Sequence, residues 1–590
     1  MPYETIAHKI LKNGDRIGHL PAYHVKTGTA WVPTTWKTYA EQVRAAAKSL
    51  IALGVAPGDA VTILSFNRPE WTITDVAAMA AGAVPAGIYT TNSPTECRYI
   101  IGHSEAPIVV VENQSQLDKI LQVRGDLPDL RHIVVIDGEA PDDPMVMTWD
   151  EFLAAGAEVD DAALEERMSA LEGEGLATLI YTSGTTGPPK GVMLSHDNLA
   201  WTPAQVMAPL GISVDDRVLS YLPMSHIAEQ LFTIHAPAVA GFPVYYAESL
   251  EKLADNLKEV EPTVFFAVPR VWERFHAGVD NELSKTTGAK GKVLAWARGI
   301  GTKVTDLHNR GVEPGGLLGI QYKLADRLVF AKAAHALGLG KARILISSAA
   351  PLAPEIKAYF ATLDLNILEV YGQSEDTGPT TINLPGRNRV DSVGPAFPNV
   401  AVKIAEDGEI LVKGRNVFLG YYKEPEATAE TMRDGWLYSG DLGEFDADGF
   451  LHITGRKKDI IITAGGKNVA PKPLESGLKL HSLISEAVVI GDRRKFLSVV
   501  VTIDEEVATV FLAERGIDGP AHTSAEVAAE VQAAIDELNK DFARVEQLKK
   551  FSILPRQLSI EGGELTPTLK VKRNKVNEHF AEEIEAMYID

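Results

Sequence analysis

The chain has 590 residues, enough for two or more domains with sizeable cores. Hydrophobic residues make up 45% and charged residues 23%, which is the balance of a globular protein and excludes a disordered or fibrous one. A net charge of −22 argues against a broad nucleic-acid-binding face, so any polyphosphate ligand must be met by a few placed cations.

The one cysteine, Cys97, excludes an intrachain disulfide. It lies in a helix-like run with Ile100 and Ile101 and reads as a buried structural thiol, with nothing beside it to activate a nucleophile. The first residues, Met1 to Thr5, have no signal-peptide pattern, and no apolar run reaches the ~18 residues of a membrane span. The expectation is a cytoplasmic protein without a transmembrane segment, in loose membrane contact at most.

Residues 38 to 53 are predicted as an amphipathic helix, with Thr38 and Glu41 as a capping box. Val61 to Ser65 is a short apolar strand, and Pro69 opens a helix to about Ala81. Pro107 to Val111 and His132 to Ile136 are further buried strands. Strands alternating with helices imply parallel sheets in an α/β domain.

Leu176 to Ile180 reads as another buried strand, and it runs into Tyr-Thr-Ser-Gly-Thr-Thr-Gly-Pro-Pro-Lys-Gly at 181 to 191. Glycines at 184, 187 and 191 let backbone N–H groups converge on an anion, since no Cβ blocks the approach. Thr182, Ser183, Thr185 and Thr186 add hydroxyl donors, and Lys190 adds a point charge. This is the chemistry of a polyphosphate cradle. The G-x4-G-K-[ST] spacing of the P-loop is not met, because Gly187 is followed by Pro188-Pro189 and Gly191 follows the lysine. Val192 to Leu194 then lead to Ser195-His196-Asp197-Asn198, a helix cap.

The alternation continues through strands at 217 to 223, 244 to 247 and 263 to 268, with helices over 227 to 239 and 250 to 260. Residues 278 to 341 are helical and basic-patched, broken by Gly and Pro near 311 to 316. Arg343 to Ser348 is a strand followed by Ala349, Ala350 and Pro351. Asn366 to Tyr371 is the next, ending in Glu369-Val370-Tyr371-Gly372-Gln373-Ser374-Glu375. Ligands of α/β sheets bind at such strand ends.

From about 390 the texture becomes β-rich, with short strands at 400 to 404, 409 to 412 and 450 to 454 separated by Asp/Gly turns. Trp436 to Leu442 contains Asp441, a carboxylate suited to two vicinal hydroxyls. Gly455-Arg456-Lys457-Lys458-Asp459 and Gly465-Gly466-Lys467-Asn468 follow closely. The last part mixes strands at 487 to 490 and 497 to 503 with helices at 525 to 541 and 571 to 586, and carries Leu565 to Arg573, a lysine-rich stretch. The predicted organisation is a large domain over 1 to 456, whose β-rich subdomain spans about 390 to 456, and a small α+β domain over 457 to 590.

These motifs, in this order over residues 182 to 573, resemble the adenylate-forming superfamily of acyl-CoA synthetases, luciferases and peptide-synthetase adenylation domains. The resemblance implies a large α/β domain with a β-rich subdomain and a small mobile C-terminal lid. It places ATP on Thr182 to Gly187 and Lys190, on the adenine-facing Ser348, Ala349 and Ala350, on Tyr371, Gly372, Gln373 and Ser374, and on the ribose-facing Asp441 and Arg456. Family members commonly have Gly where Ser348 and Ala349 stand, and Thr where Ser374 stands. Mg²⁺ is implied at Glu375 and Thr185, coenzyme A at Gly465 and Gly466, and a hinge at Lys458. Lys570 matches the catalytic lysine, with Lys572 the offset alternative. Leu222 to His226, Val268 to Glu273 and the helical insert resemble bacterial long-chain fatty acid:CoA ligases, with His226 near the acyl carboxylate. The implied reaction is ATP-dependent acyl-CoA formation through an acyl-adenylate. Transfer to a carrier-protein thiol, or a regulator that keeps the fold without the chemistry, are the alternatives.

Overall fold

The residues of the first predicted strands alternate between two apolar environments. Val61, Ile63, Ile108, Val110 and Val134 join one core cluster. Ala60, Leu64, Val109, Val111, Ile133 and Val135 join another. Successive side chains of a strand point to opposite faces, so a sheet with two such clusters is covered on both sides. Helices Trp36–Ala52 and Pro69–Ala80 pack on the first face, and Pro94–Ser104 and Gln114–Val123 on the second.

This computed structural model describes residues 4–182, 188–566 and 570–589. Among them, the main sheet runs from edge to edge through Gly420–Tyr421, Lys190–Ser195, Leu176–Thr182, Val84–Ile88, Ala60–Leu64, Ile108–Asn113, His132–Asp137 and Val146–Thr148. The strands from 60 to 182 pair in parallel, whereas Lys190–Ser195 folds back antiparallel on Leu176–Thr182. A second sheet joins Val218–Ser220 and Val244–Tyr246 to Pro21–Thr27 and Ala30–Thr35. A third carries Val264–Ala267, Ile344–Ser347, Ile367–Tyr371 and Thr381–Ile382. The β-rich part is an antiparallel sheet centred on Trp436–Phe445, paired with Glu409–Lys413 and Leu451–Arg456.

Residues beyond 456 build their own cores. Leu474, Val499, Val531 and Leu548 belong to one, and Val488, Leu565, Val576 and Phe580 to the other. Ile484–Ile490, Leu497–Ile503 and Leu548–Ile553 form a three-stranded sheet between them. The architecture is therefore mixed α/β, a large N-terminal body with a smaller C-terminal one. Polar side chains tie the two together: Lys479 meets Glu273 at 3.3 Å, and Arg270 meets Glu486 at 3.2 Å.

Several local expectations need correction. The helix predicted from Thr38 starts at Trp36, because the Thr35 side chain accepts from the Thr38 N–H; Thr38 is inside the helix. Val192 to Leu194, given no element in the sequence, are the middle of a strand, with Val192 and Met193 paired to Ile180 and Leu179. The Ser195 cap is present, with Asn198 completing the box. The last helix is two, Arg573–His579 and Ala581–Ala586, parted at Phe580, whose ring is buried in the core. Val84–Ile88 is a strand that the alternation missed; it is buried throughout and pairs with Ala60–Leu64. Cys97 is buried, as expected, and burial pushes its thiol up to about 12.

Candidate active site

The stretch expected as a loop from 181 to 191 begins and ends in strand: Tyr181 and Thr182 close Leu176–Thr182, Lys190 and Gly191 open Lys190–Ser195, and Thr182 pairs with Lys190. Ser183, Gly184, Thr185, Thr186 and Gly187 lie outside the described residues. Lys190 stands over the Tyr421 ring at 4.9 Å and 3.9 Å from the Glu424 carboxylate. The Tyr421 hydroxyl donates to Glu375 Oε1 at 2.8 Å. Tyr421 thus fixes both the loop lysine and the proposed Mg²⁺ acid. The edge strand Gly420–Tyr421, only two residues long, gave no signal in the sequence.

Glu375 and Asp376 are neighbours with opposite fates. Asp376 turns inward, accepting from Gln373 N–H at 2.7 Å and the Thr380 hydroxyl at 2.8 Å. Complete burial holds its carboxyl well above the usual carboxylate range. Glu375 is half-buried and turns toward Tyr421, and its Oε2 accepts no hydrogen bond from a described residue. Mg²⁺ commonly keeps one or two protein carboxylates and fills its shell with water and phosphate oxygens, so a single free carboxylate edge fits it.

The segment before Glu375 is built for close approach. A Cβ on Gly372 would sit 1.5 Å from the Gly378 carbonyl oxygen, so the backbone there admits only glycine. Ser374 is buried. Gln373 Nε2 is buried and finds no acceptor among the described residues, which leaves a donor for a ligand. Glu369, at the start of the motif, is structural: it pairs with Lys357 in the core and accepts from Leu352 N–H at 3.0 Å. Beside it, the Ser348 hydroxyl donates to the Val370 carbonyl at 2.8 Å. Ala349 has φ of 73°, in the left-handed region. That accounts for the commoner glycine of the family; alanine costs about 1 kcal/mol there, a tolerable sum in a large domain. Ala350 is half-buried at the mouth of the same turn.

The third wall comes from the β-rich sheet, where Asp441 pairs with Arg456 across the ladder. Asp441 Oδ2 accepts from the Tyr371 hydroxyl at 3.0 Å, and Oδ1 lies 3.2 Å from Arg456 Nε. Burial raises the Asp441 pKa, while Arg456 pulls it back. A carboxylate offers about four lone-pair sites, so two remain for a ligand diol.

Lys570 enters this cleft from the C-terminal body. Its N–H donates to the Thr566 hydroxyl at 2.9 Å. Solvent still reaches the side chain, but the surrounding protein penalises its charge and lowers its pKa; Arg456 lowers it further, and Asp441 and Glu375 oppose. Burial and then Lys570 also depress His226, to about 4. His226 caps the helix Ile227–Gln230, its Nδ1 accepting from Ala228 N–H at 3.2 Å. That bond leaves the proton on Nε2, so His226 is a neutral donor at pH 7. The structure therefore brings Lys570 within electrostatic reach of His226, Asp441, Arg456 and Glu375, with Tyr371 bonded to Asp441.

Three predicted residues stand apart. Lys458 is exposed in the turn Lys457–Asp459, where Lys457 instead holds Asp407 at 2.6 Å and Glu409 at 2.9 Å. Gly465 and Gly466 form an exposed hairpin tip, Gly466 at φ of 78°. Its neighbours are in the C-terminal body: Ala464 N–H donates to the Arg494 carbonyl at 2.9 Å, and Lys467 is 3.7 Å from Glu546. Sequence reasoning also missed Glu564, wholly buried beneath the Lys570 loop and bonded to Arg556 and His579. A lone acid two residues before Thr566 was its only signal.

A family model described as AMP-binding enzyme matches residues 15–422, and one described as AMP-binding enzyme C-terminal domain matches 458–590. The chain belongs to the AMP-binding enzyme family. Among similar members of known name, the long-chain-fatty-acid–CoA ligase ACSBG2 of Xenopus laevis is 38% identical over 626 residues, covering 100% of this chain and 84% of that protein. The long-chain-fatty-acid–CoA ligase FadD15 of Mycobacterium tuberculosis is 39% identical over 568 residues, covering 95% and 92%. In fold, this AMP-binding enzyme matches the A domain of carboxylic acid reductase from Segniliparus rugosus, solved in complex with AMP and a co-purified carboxylic acid. The TM-score is 0.75 at 21% identity, over 100% of this chain and 94% of that one.

Proposed function

We propose that this AMP-binding enzyme is an ATP-dependent long-chain fatty acid:CoA ligase. The observation that carries the reading is the meeting of Lys570, from the C-terminal body, with the Tyr371–Asp441–Arg456 cluster and His226 of the large body. Relatives named as long-chain fatty acid ligases align over nearly the whole chain, which supports the substrate class.

A carboxylate is a poor acceptor for a thiol because its leaving group is poor. In the first half-reaction the acid's oxygen attacks the α-phosphorus of ATP and pyrophosphate leaves, giving a mixed anhydride. In the second, the CoA sulfur attacks the acyl carbon, AMP leaves with the C–O bond electrons, and the thiol proton goes to solvent. Asp441 would accept the ribose hydroxyls, oriented by Tyr371 and Arg456. Gln373 Nε2 and the small Ser348–Ala350 turn would border the base. The neutral His226 Nε2–H would donate to the acyl carboxylate, and Lys190 with the loop amides would hold the outer phosphates. Glu375 would hold Mg²⁺, which when bound offsets phosphate charge. Lys570 would stabilise the charge that grows around the α-phosphate. One charge at ~4 Å is worth about 4 kcal/mol at an effective dielectric near 20, or ~10²–10³ in rate.

The site holds Lys570 while Gly465 and Gly466 face elsewhere, the arrangement suited to adenylation. The domain boundary would then lie between 456 and 457, and the C-terminal body would turn about Lys458 to bring the glycine hairpin to CoA. A cytoplasmic location, with peripheral membrane contact, fits the same reading. The test is AMP release from acids of graded chain length, with and without CoA. Turnover of long-chain acids that needs free CoA is expected; turnover only with an acyl carrier protein, or none with any acid, overturns it.

A further inference from the structure

The strongest unexplained surface is the helical insert. Gly316–Ala325 continues through Asp326–Phe330 and Ala331–Ala336 as one helical rod. Its inner face packs Ala325 and Phe330 against Ala297, Ile300 and Val304 of the neighbouring helix Gly288–His308. Its outer face is also apolar: Leu317 is 72% exposed, Ile320 67%, Leu324 49% and Leu328 41%. Spacings of three and four residues put these on one stripe. A helix that is apolar on both faces is ordinarily covered on both, and scattered exposed leucines are common while a continuous stripe is not.

The charge around the stripe says what covers it. Residues 278 to 341 hold ten Lys and Arg against five Asp and Glu, in a chain whose net charge is −22. Lys323, Arg327 and Lys332 are exposed on the same rod, and none makes an ion pair among the described residues. A symmetric pair of copies would bring these cations against their own counterparts, which is repulsive. An apolar stripe flanked by unpaired cations matches instead a bilayer with anionic headgroups, where the leucines enter the acyl boundary and the cations stay at the phosphates.

We propose that the outer face of the 316–336 rod docks this protein on anionic lipid membranes. The binding readout requires no turnover, so it stands or falls apart from the ligase reading, although a membrane-seated enzyme would meet long-chain acids where they partition.

The experiment is co-sedimentation of the full chain with vesicles of phosphatidylcholine containing about one-third phosphatidylglycerol, an anionic surface. Binding is expected at low salt, weaker on pure phosphatidylcholine and falling as salt rises. Leu317→Ser with Ile320→Ser should reduce it about tenfold or more through lost apolar burial. Separately, Lys323→Gln with Arg327→Gln should reduce it by about tenfold. These side chains are exposed, so thermal melting should not change. No binding by the wild-type chain, or unchanged binding by both variants, overturns the proposal. So does a wild-type dimer that the Leu317 and Ile320 pair converts to monomer, which would make the stripe a contact between copies.

Discussion

Replacing Glu564 with glutamine probes how the Lys570 loop is held. Glu564 is fully buried, accepts from His579 Nδ1 at 2.7 Å and Ser559 N–H at 3.2 Å, and pairs with Arg556. Its backbone carbonyl accepts from Lys572 N–H at 2.7 Å, and Leu565 bridges Val571, so the acid ties the chain before Lys570 to the chain after it. Burial alone would raise its pKa, but the bonds from Arg556 and His579 win and hold it near 2, below the ordinary 4.5. A downward shift of that size is worth at most about 3 kcal/mol. Arg556 is 47% exposed, and screening reduces the figure to about 2 kcal/mol. The folded pKa lies below the unfolded one, so this stability is present above pH 4.5 and fades as pH falls toward 2. Glu564→Gln should therefore unfold at lower urea at pH 7, by about 2 kcal/mol, with the gap narrowing below about pH 4.5. Fatty-acid-dependent ATP–pyrophosphate exchange should fall while nucleotide affinity of the large body is kept. Equal stability at pH 7, or a gap that persists undiminished in acid, would refute the reasoning.

Lys570→Ala should slow adenylate formation by ~10²–10³ with little change in stability, since the side chain is open to solvent; pyrophosphate exchange measures it, and a wild-type rate would remove Lys570 from the chemistry. Tyr421→Phe deletes the hydroxyl on Glu375, and the KM for Mg·ATP should rise about fivefold to tenfold, one hydrogen bond's worth. With His226 near 4 and its Nδ1 accepting from a backbone N–H, kcat/KM should show no His226 ionisation between pH 5.5 and 8. An ionisation near 6.5 that disappears in His226→Gln contradicts the neutral donor. Lys479→Glu sets like charges against Glu273 and Glu486 and should weaken the present seating of the C-terminal body. Adenylation should slow while thioester formation from preformed adenylate is spared; equal loss of both would remove the ion pairs from control of domain seating.

Part of the candidate site could be picked out because short motifs at strand ends constrain the local sequence. Tyr371, Asp441 and Arg456 lie within a few residues of strand ends or on paired strands, where short motifs fix their placement. The packing reason for Gly372 was not legible: the Gly378 carbonyl against its Cα excludes any side chain. Tyr421, Glu564 and the Lys479–Glu273 contact were not legible, because each joins segments far apart in the chain and none carries a local pattern.

By itself the sequence determined the alternating strands and helices, the glycine-rich turn and the identity of the polar groups, all set by side-chain periodicity and backbone freedom over a few residues. The tertiary structure decided which of those groups meet. Glu375 faces outward and Asp376 inward because only one of two adjacent side chains can enter the core beside Thr380. Lys570 comes within electrostatic reach of Asp441 because the cores of the C-terminal body and the ion pairs of its flank seat that body beside the β-rich sheet. Packing of this kind depends on the whole chain at once, which no stretch of it encodes alone.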